Sequence, residues 1–411
     1  MLPIGEIKIE DYNYALPNER IAKYPLKQRD LSKLLYLKND TLSEKKFKEI
    51  PELLPKDSLL LFNETKVIQA RLKFRKETSQ AGGGQGAKIE IFCLEPIEPE
   101  NDFQLAFQLS SPVVWKCMIG NAKRWKSGKL KNTFNYKGKE ITLEAEIKER
   151  HSDAWLVQFE WNVPEIKFHE IIEQNGLTPL PPYLNREAEE SDKDRYQTVY
   201  ANYNGSVAAP TAGLHFTQSI IEQIKQKGIQ TAKLTLHVGA GTFKPVSAEI
   251  IADHEMHTER VIVSKETLLK IKNNLHKNII PVGTTSMRTL ESLFWMALKL
   301  KKGDASFSVE QWDPYNLEVP TEFSSLIAIN ILIKFIEEHE IESISGETRL
   351  MIAPGYKFRF ATALITNFHQ PKSTLLLLVS ALIGEKWKEA YDFALANDFR
   401  FLSYGDSCLF L

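Results

Sequence analysis

The residues best equipped for chemistry fall in a few short stretches. Residues 254–259 read His-Glu-Met-His-Thr-Glu, which puts His254, His257 and Glu259 within six positions. Imidazole and carboxylate groups serve as acids, bases or metal ligands. The spacing is not that of an HExxH helix, and strand-like alternation into 261–263 would set His257 and Glu259 on one face and His254 on the other. A polar active-site wall is the preferred reading over a metal centre. Two further histidines stand beside glycines: His215 in 208–217 (Ala-Ala-Pro-Thr-Ala-Gly-Leu-His-Phe-Thr) and His237 in 236–246 (Leu-His-Val-Gly-Ala-Gly-Thr-Phe-Lys-Pro-Val). Gly239 and Gly241 let backbone approach a ligand closely and Thr242 adds a hydroxyl, although a bare GxG also describes a tight turn. At 283–291 (Gly-Thr-Thr-Ser-Met-Arg-Thr-Leu-Glu) an apolar strand gives way to a helix. The first N–H groups of that helix suit a carboxylate or another anion, unless Thr284 or Thr285 simply caps it. His369 and Lys372 lie in a Lys-Ser-Thr context that lacks the glycines of a phosphate loop and reads as a turn beside a strand end.

A second kind of signal is electrostatic. The chain has 411 residues, with 52 Lys plus Arg against 53 Asp plus Glu, so no protein-wide field attracts a polyanion and local patches must do so. One runs from Lys116 to Lys131, where Lys123, Arg124 and Lys126 are interleaved with Trp115 and Trp125 and no acid intervenes. Cations there would neutralise phosphates and exposed aromatics would stack on unpaired bases. Another runs through Arg20, Lys23, Lys27, Arg29 and Lys33.

Elements must hold these groups. The run 59–62 (Leu-Leu-Leu-Phe) is the pattern of a strand buried on both faces. From about 65 to 160, short alternating strands and turn clusters, including a glycine-rich turn near Gly82, suggest a small β-barrel. After Pro164, helical stretches alternate with apolar runs. The expected architecture is a three-layer α/β/α domain made of 1–63 and 161–411, with a barrel inserted over 64–160. In open α/β sheets ligands gather at the carboxyl ends of strands, beside which the glycine turns fall. Three scattered cysteines (Cys93, Cys117, Cys408) argue against a disulfide framework and for a reducing cytoplasm. The first residues lack a basic region followed by an apolar run, so no secretory leader is expected, and the apolar run 375–384 is too short to cross a membrane.

Taken in order, the motifs resemble one family, the S-adenosylmethionine:tRNA ribosyltransferase-isomerases of queuosine biosynthesis. The resemblance is carried by 14–25 with Arg29 and Asp30, 61–72, 177–183, 195–200, 207–217, 236–246, 254–259, 283–292, 353–358, 366–380 and 403–406, nearly the whole chain. A longer stretch between Glu291 and Arg349, and Gln370 in place of an apolar residue, depart from the family's usual pattern. The family implies the same α/β domain with an inserted barrel. It implies that S-adenosylmethionine is consumed as a co-substrate, with no recycled cofactor and no metal. The ribosyl portion would pass to 7-aminomethyl-7-deazaguanine at the tRNA wobble position, giving epoxyqueuosine-tRNA, adenine and methionine. A base removing the acidic C5′ proton beside the sulfonium would begin ring opening and adenine loss. The resemblance points to His215 or His237 as base or acid, with His257 and Glu259 next. Thr211, Gly213, Gly239, Gly241 and Thr242 would shape the site, and Phe216 and Phe243 would pack on adenine or the cation. Thr284, Thr285 and Arg288 would hold the methionine carboxylate, while Asn63, Thr65, Lys66 and Arg71 would touch RNA or close the cleft. Expected partners are tRNA and S-adenosylmethionine, with no membrane and a monomer as the favoured state. The alternatives are a paralogue with altered RNA or nucleoside choice, a metal-dependent hydrolase built on His254, His257 and Glu259, and a catalytically idle RNA-binding protein.

Overall fold

The computed structural model describes residues 4–76, 86–151, 154–239, 246 and 248–411. The glycine-rich turn near Gly82 lies outside them.

The strand Ser58–Asn63 organises the larger domain, with every residue buried. Period-two alternation sends Leu59 and Leu61 into one core and Leu60 and Phe62 into another. The first core is closed by Met287, Leu290 and Leu293 of helix Thr284–Lys301 and by Ile329, Leu332 and Ile336 of helix Ser325–Glu338. The second is closed by Ile220, Ile221 and Ile224 of helix Gln218–Gln226. A strand covered on both sides must be apolar throughout, which is why 59–62 carries no polar residue. Helix Ser325–Glu338 comes from the long stretch between Glu291 and Arg349, so that stretch completes a face of the sheet.

Among the described residues the sheet has ten strands in the order Ser308–Val309, Ser343–Thr348, Glu259–Ser264, Gln230–His237, Ser58–Asn63, Asn278–Val282, Leu364–Asn367, Ser407–Phe410, Lys33–Lys38 and Thr41–Lys46. Its centre is parallel: Gln230–His237 and Asn278–Val282 flank Ser58–Asn63, and Asn278–Val282 pairs with Leu364–Asn367. Glu259–Ser264 runs antiparallel to Gln230–His237, and Ser407–Phe410 antiparallel to Leu364–Asn367. The carboxyl ends of the four central strands therefore share one sheet edge with the beginnings of two antiparallel strands. That edge gathers Asn63, His237, Gly283 and Asn367 with Glu259 and Ser407.

The second unit is a closed antiparallel barrel of six strands: Arg71–Arg75, Lys88–Glu98, Val113–Gly120, Ala154–Trp161, Lys139–His151 and Leu130–Tyr136, sealed where Arg75 meets Lys131. Its core also takes in Phe168, Ile171 and Ile172 of helix Phe168–Asn175. Along Val113–Gly120 alternate residues turn inward, burying Trp115 and Cys117 while Lys116 faces out. All three cysteines are buried and free. The apolar run near 375 forms helix Thr374–Ile383, and no helix among the described residues is long and apolar enough to cross a membrane.

Candidate active site

A cleft of about 1310 Å³ opens at the strand-end edge. Its walls come from the loop 208–212, the segment 254–259, the start of helix Thr284–Lys301, the loop 366–375 and residues 402–403, with Tyr183 and Tyr196 as aromatic sides. These segments are distant in sequence; most of them meet because they follow or precede a strand of the ten-stranded sheet, while 208–212 follows strand Tyr203–Ser206, which pairs with Thr65–Val67.

The helix start is bare by construction. Gly283 has φ 91°, a conformation an L side chain rarely adopts, and as the cap residue it has no side-chain oxygen for the first-turn N–H groups. Neither Thr284 nor Thr285 is the cap; both are helical and line the cleft. The positive end of an 18-residue helix is thus free for an anionic group.

One turn on, Arg288 is buried and ion-paired through Nη1 to Glu259 Oε2, and its Nε donates to the Leu350 carbonyl at 3.1 Å. Arg288 Nη2 and Glu259 Oε1 remain buried without a partner. Burial pushes the Glu259 carboxyl above its ordinary range, and the Arg288 guanidinium pulls it back. A third unpartnered buried atom of the cleft wall is Asn367 Oδ1, on a side chain whose Nδ2 donates to the Leu402 carbonyl at 3.2 Å. Among the described cleft-wall residues, one donor and two acceptors are thus left unpartnered, and each uncompensated group costs about 1–3 kcal/mol until something bonds to it.

Three histidines line the cleft: His254, His257 and His369. His254 is held below its ordinary range by burial and then by the charge of His257. His369 is fixed by Thr366 Oγ1, 2.9 Å from Nε2, and burial drives it to about 3. Lys372, also in the wall, pairs with Glu10. His254 and His257 share the cleft rather than opposite faces, because regular strand begins only at Glu259 and alternation does not apply before it.

The glycine-flanked histidines lie elsewhere. His215 ends the short turn Thr211–His215 and is buried behind the wall, with Ser32 Oγ 2.8 Å from Nδ1 and Asn367 Nδ2 3.2 Å from Nε2. Burial and the Arg400 charge lower it to about 3. His237 is buried against the Phe103 ring with Thr65 Oγ1 3.0 Å from Nδ1, and burial and Arg260 lower it to about 4. Gly205 makes this seat: a Cβ there would fall 2.8 Å from the His237 ring. Neither histidine lines the cleft. Phe216 is fully buried in the second core, edge-on to Phe47 and Phe62, so it does not stack on a ligand in the cleft. Thr211 lines the cleft, whereas Gly213 packs against Tyr200, whose hydroxyl a Cβ would strike. Gly239 is half-buried outside the lining; Gly241, Thr242 and Phe243 lie outside the described residues.

Several surface expectations are corrected. Asn63 and Thr65 are fully buried and cannot touch RNA: Asn63 bridges Leu236 through both amide atoms and Thr65 holds His237. Arg71 is engaged by the Leu180 carbonyl, Glu90 and the Phe92 ring, and Lys66 is half-buried. Trp115 and Trp125 are interior and cannot stack on bases. Lys116, Lys129 and Lys131 are paired with Glu95, Glu144 and Glu160, while Lys123, Arg124 and Lys126 are exposed. The hydrolase alternative loses its carboxylate, since Glu259 is committed to Arg288; among the described residues no cluster of three or more His, Cys, Asp or Glu could hold a metal ion. The wall residues Asn367, Ser403 and Tyr183 were missed as site residues, although each falls in a stretch that carries the family resemblance.

A family model described as "Queuosine biosynthesis protein" matches residues 9–410. Curated relatives named S-adenosylmethionine:tRNA ribosyltransferase-isomerase include one from Trichlorobacter lovleyi, 38% identical over 406 residues (98% of this chain, 99% of the relative). Another, from Acetivibrio thermocellus, is 38% identical over 407 residues with the same coverage. A crystal structure of S-adenosylmethionine tRNA ribosyltransferase from Thermotoga maritima is 29% identical, covers 98% of this chain and all of its own, and superposes with a TM-score of 0.45.

Proposed function

The chain belongs to the queuosine biosynthesis family, and from that premise we propose that it is an S-adenosylmethionine:tRNA ribosyltransferase-isomerase working in the strand-end cleft. It transfers and isomerises the ribosyl moiety of S-adenosylmethionine onto 7-aminomethyl-7-deazaguanine at the tRNA wobble position, releasing adenine and methionine. The observation that supports this site is the set of unpartnered polar atoms on cleft-wall side chains, Arg288 Nη2, Glu259 Oε1 and Asn367 Oδ1, beside an uncapped helix start.

The amino-acid end of S-adenosylmethionine is a zwitterion. Its carboxylate suits Arg288 Nη2 and the first-turn N–H groups of helix Thr284–Lys301, and its ammonium suits Glu259 Oε1. That assigns Glu259 a binding role in place of acid–base work, since a carboxylate locked to a guanidinium is a poor proton carrier. Proton transfer falls to His254 and His257. His254, held below its ordinary range, is neutral at pH 7 and can accept the C5′ proton whose loss opens the ribose and expels adenine. Tyr183 offers its face to the adenine or the sulfonium. His215 and His237 act from behind the wall as positioning residues, His215 through Asn367 and His237 through Thr65.

The test mixes the protein with S-adenosylmethionine and tRNA carrying the aminomethyl-deazaguanine. Stoichiometric free adenine and a matching mass increase on the nucleoside are expected. Adenine-free tRNA modification, or no modification at all, would remove the assignment.

A further inference from the structure

A second, smaller cavity of about 280 Å³ lies behind the cleft, the two sharing Ser403 in their walls. Arg29, Arg195 and Arg400 all line it, together with His215 and Ser32, and among the described residues no carboxylate does. Like charges are gathered here at a cost. Burial and the neighbouring Arg195 charge hold Arg29 below its ordinary range, and the charges of Arg400 and Arg29 both disfavour the protonated His215 ring.

The three guanidiniums are only partly used. Arg29 Nη1 donates to the Gln197 carbonyl at 3.0 Å. Arg195 donates Nη1 and Nη2 to the Lys27 and Leu26 carbonyls, leaving its Nε buried without a partner. Arg400 Nη1 reaches the Tyr24 carbonyl at 3.5 Å and its Nη2 lies 3.6 Å from Asp406. Asp406 in turn accepts the backbone N–H groups of Lys33 and Arg400. Each guanidinium carries five N–H donors in a planar fork that matches phosphate oxygens. Three forks around one small pocket, with positive charge in excess, describe a site for a tetrahedral anion.

We infer that this pocket takes a backbone phosphate of the RNA whose base enters the neighbouring cleft. The inference rests on the proposed function, which supplies the RNA. S-adenosylmethionine carries no phosphate, and its carboxylate is accounted for at Arg288, so an anion seated here belongs to the RNA or to free phosphate. The shared Ser403 wall sets the pocket next to the cleft, as a phosphate neighbouring the reacting nucleotide requires.

The experiment measures binding of an unmodified tRNA transcript over a salt series for wild type, Arg29→Gln, Arg400→Gln and Arg29→Lys, with calorimetric titration of inorganic phosphate alongside. Each Gln variant is expected to weaken tRNA about tenfold and to flatten the log affinity–log salt slope by about 0.7–1, the signature of one lost phosphate contact. Arg29→Lys is expected to restore the slope and only part of the affinity, because an ammonium keeps the charge without the fork. A purely structural role would leave the slope intact, and that result overturns the inference. Phosphate binding abolished in the variants while tRNA affinity stays unchanged also overturns it, in favour of a free-phosphate site. Should Arg29→Gln fail to fold, Arg400→Gln, on a different segment and 30% exposed, carries the test. The affinity of wild type for S-adenosylmethionine is read in the same preparation; its absence sinks the proposed function and leaves the salt slope to decide the phosphate site.

Discussion

The Glu259–Arg288 corner and the His215–His237 positions are both buried polar groups at the same sheet edge, and they differ in what is left unbonded. His215 has a partner at each ring nitrogen and His237 has Thr65 at Nδ1, with neither ring in the cleft. Arg288 and Glu259 satisfy each other only halfway, with one nitrogen and one oxygen spare in the cleft wall. A satisfied buried group stabilises a fold and specifies a conformation. A half-satisfied one is costly unless a ligand completes it, so the spare atoms mark the substrate end of the site more reliably than the identity of a histidine does.

The largest effect expected from this contrast is at Arg288. Arg288→Ala leaves Glu259 buried and unpaired, which costs about 3–5 kcal/mol of stability, and lowers affinity for S-adenosylmethionine by about 100-fold or more in calorimetry. Glu259→Gln, which keeps the shape, should melt closer to wild type and still bind at least about tenfold more weakly. If His215→Gln damages that binding more than Arg288→Ala, the contrast is broken.

A second effect is on stability against pH. The folded values of His215 and His369 lie at about 3 and that of His237 at about 4, all below the ordinary 6.5, so the unfolded chain takes up these protons first as pH falls. Stability is fully present above about pH 6.5 and declines toward the folded values, by about 1.4 kcal/mol per pH unit for each histidine. Urea midpoints at pH 7 and pH 5 should show the loss, and His215→Gln should make it shallower by one histidine's share. An unchanged slope would deny that the ring is buried and neutral.

Asn367→Ala sharpens the contrast from the middle, since that cleft-wall side chain touches His215 with Nδ2 and leaves Oδ1 unpartnered. About a tenfold loss in adenine release is expected, with a smaller loss of stability. The smallest effect belongs to the barrel. Replacing Lys123, Arg124 and Lys126 together by Gln should weaken tRNA only about two- to fivefold, as exposed cations far from a built pocket do; a loss exceeding that of Arg29→Gln would move the main RNA contact to the barrel.

Much of the framework was legible because burial on two faces, or on one, leaves a plain pattern. The unbroken apolar run at 59–62 marks a central strand, alternation marks the barrel, and the passage from an apolar strand into 283–291 marks a helix start. Side-chain direction was less legible. His215 and Phe216 follow a glycine like site residues, yet the turn Thr211–His215 carries both into the interior. Trp115 alternates with Lys116, which already places it inside the barrel, a sign outweighed by the density of nearby charge. Arg29, Arg195 and Arg400 come from three segments more than 160 residues apart, and only the folded chain brings them together.

The central claim, that Arg288 reads the carboxylate of S-adenosylmethionine in the cleft, is tested most directly by comparing that ligand with its decarboxylated form. Wild type should bind S-adenosylmethionine at least about tenfold more tightly than the decarboxylated analogue, the effect of one charge-assisted contact of about 1.4 kcal/mol or more. In Arg288→Ala that preference should fall to near unity. A preference retained in full by the variant would place the carboxylate elsewhere and contradict the account.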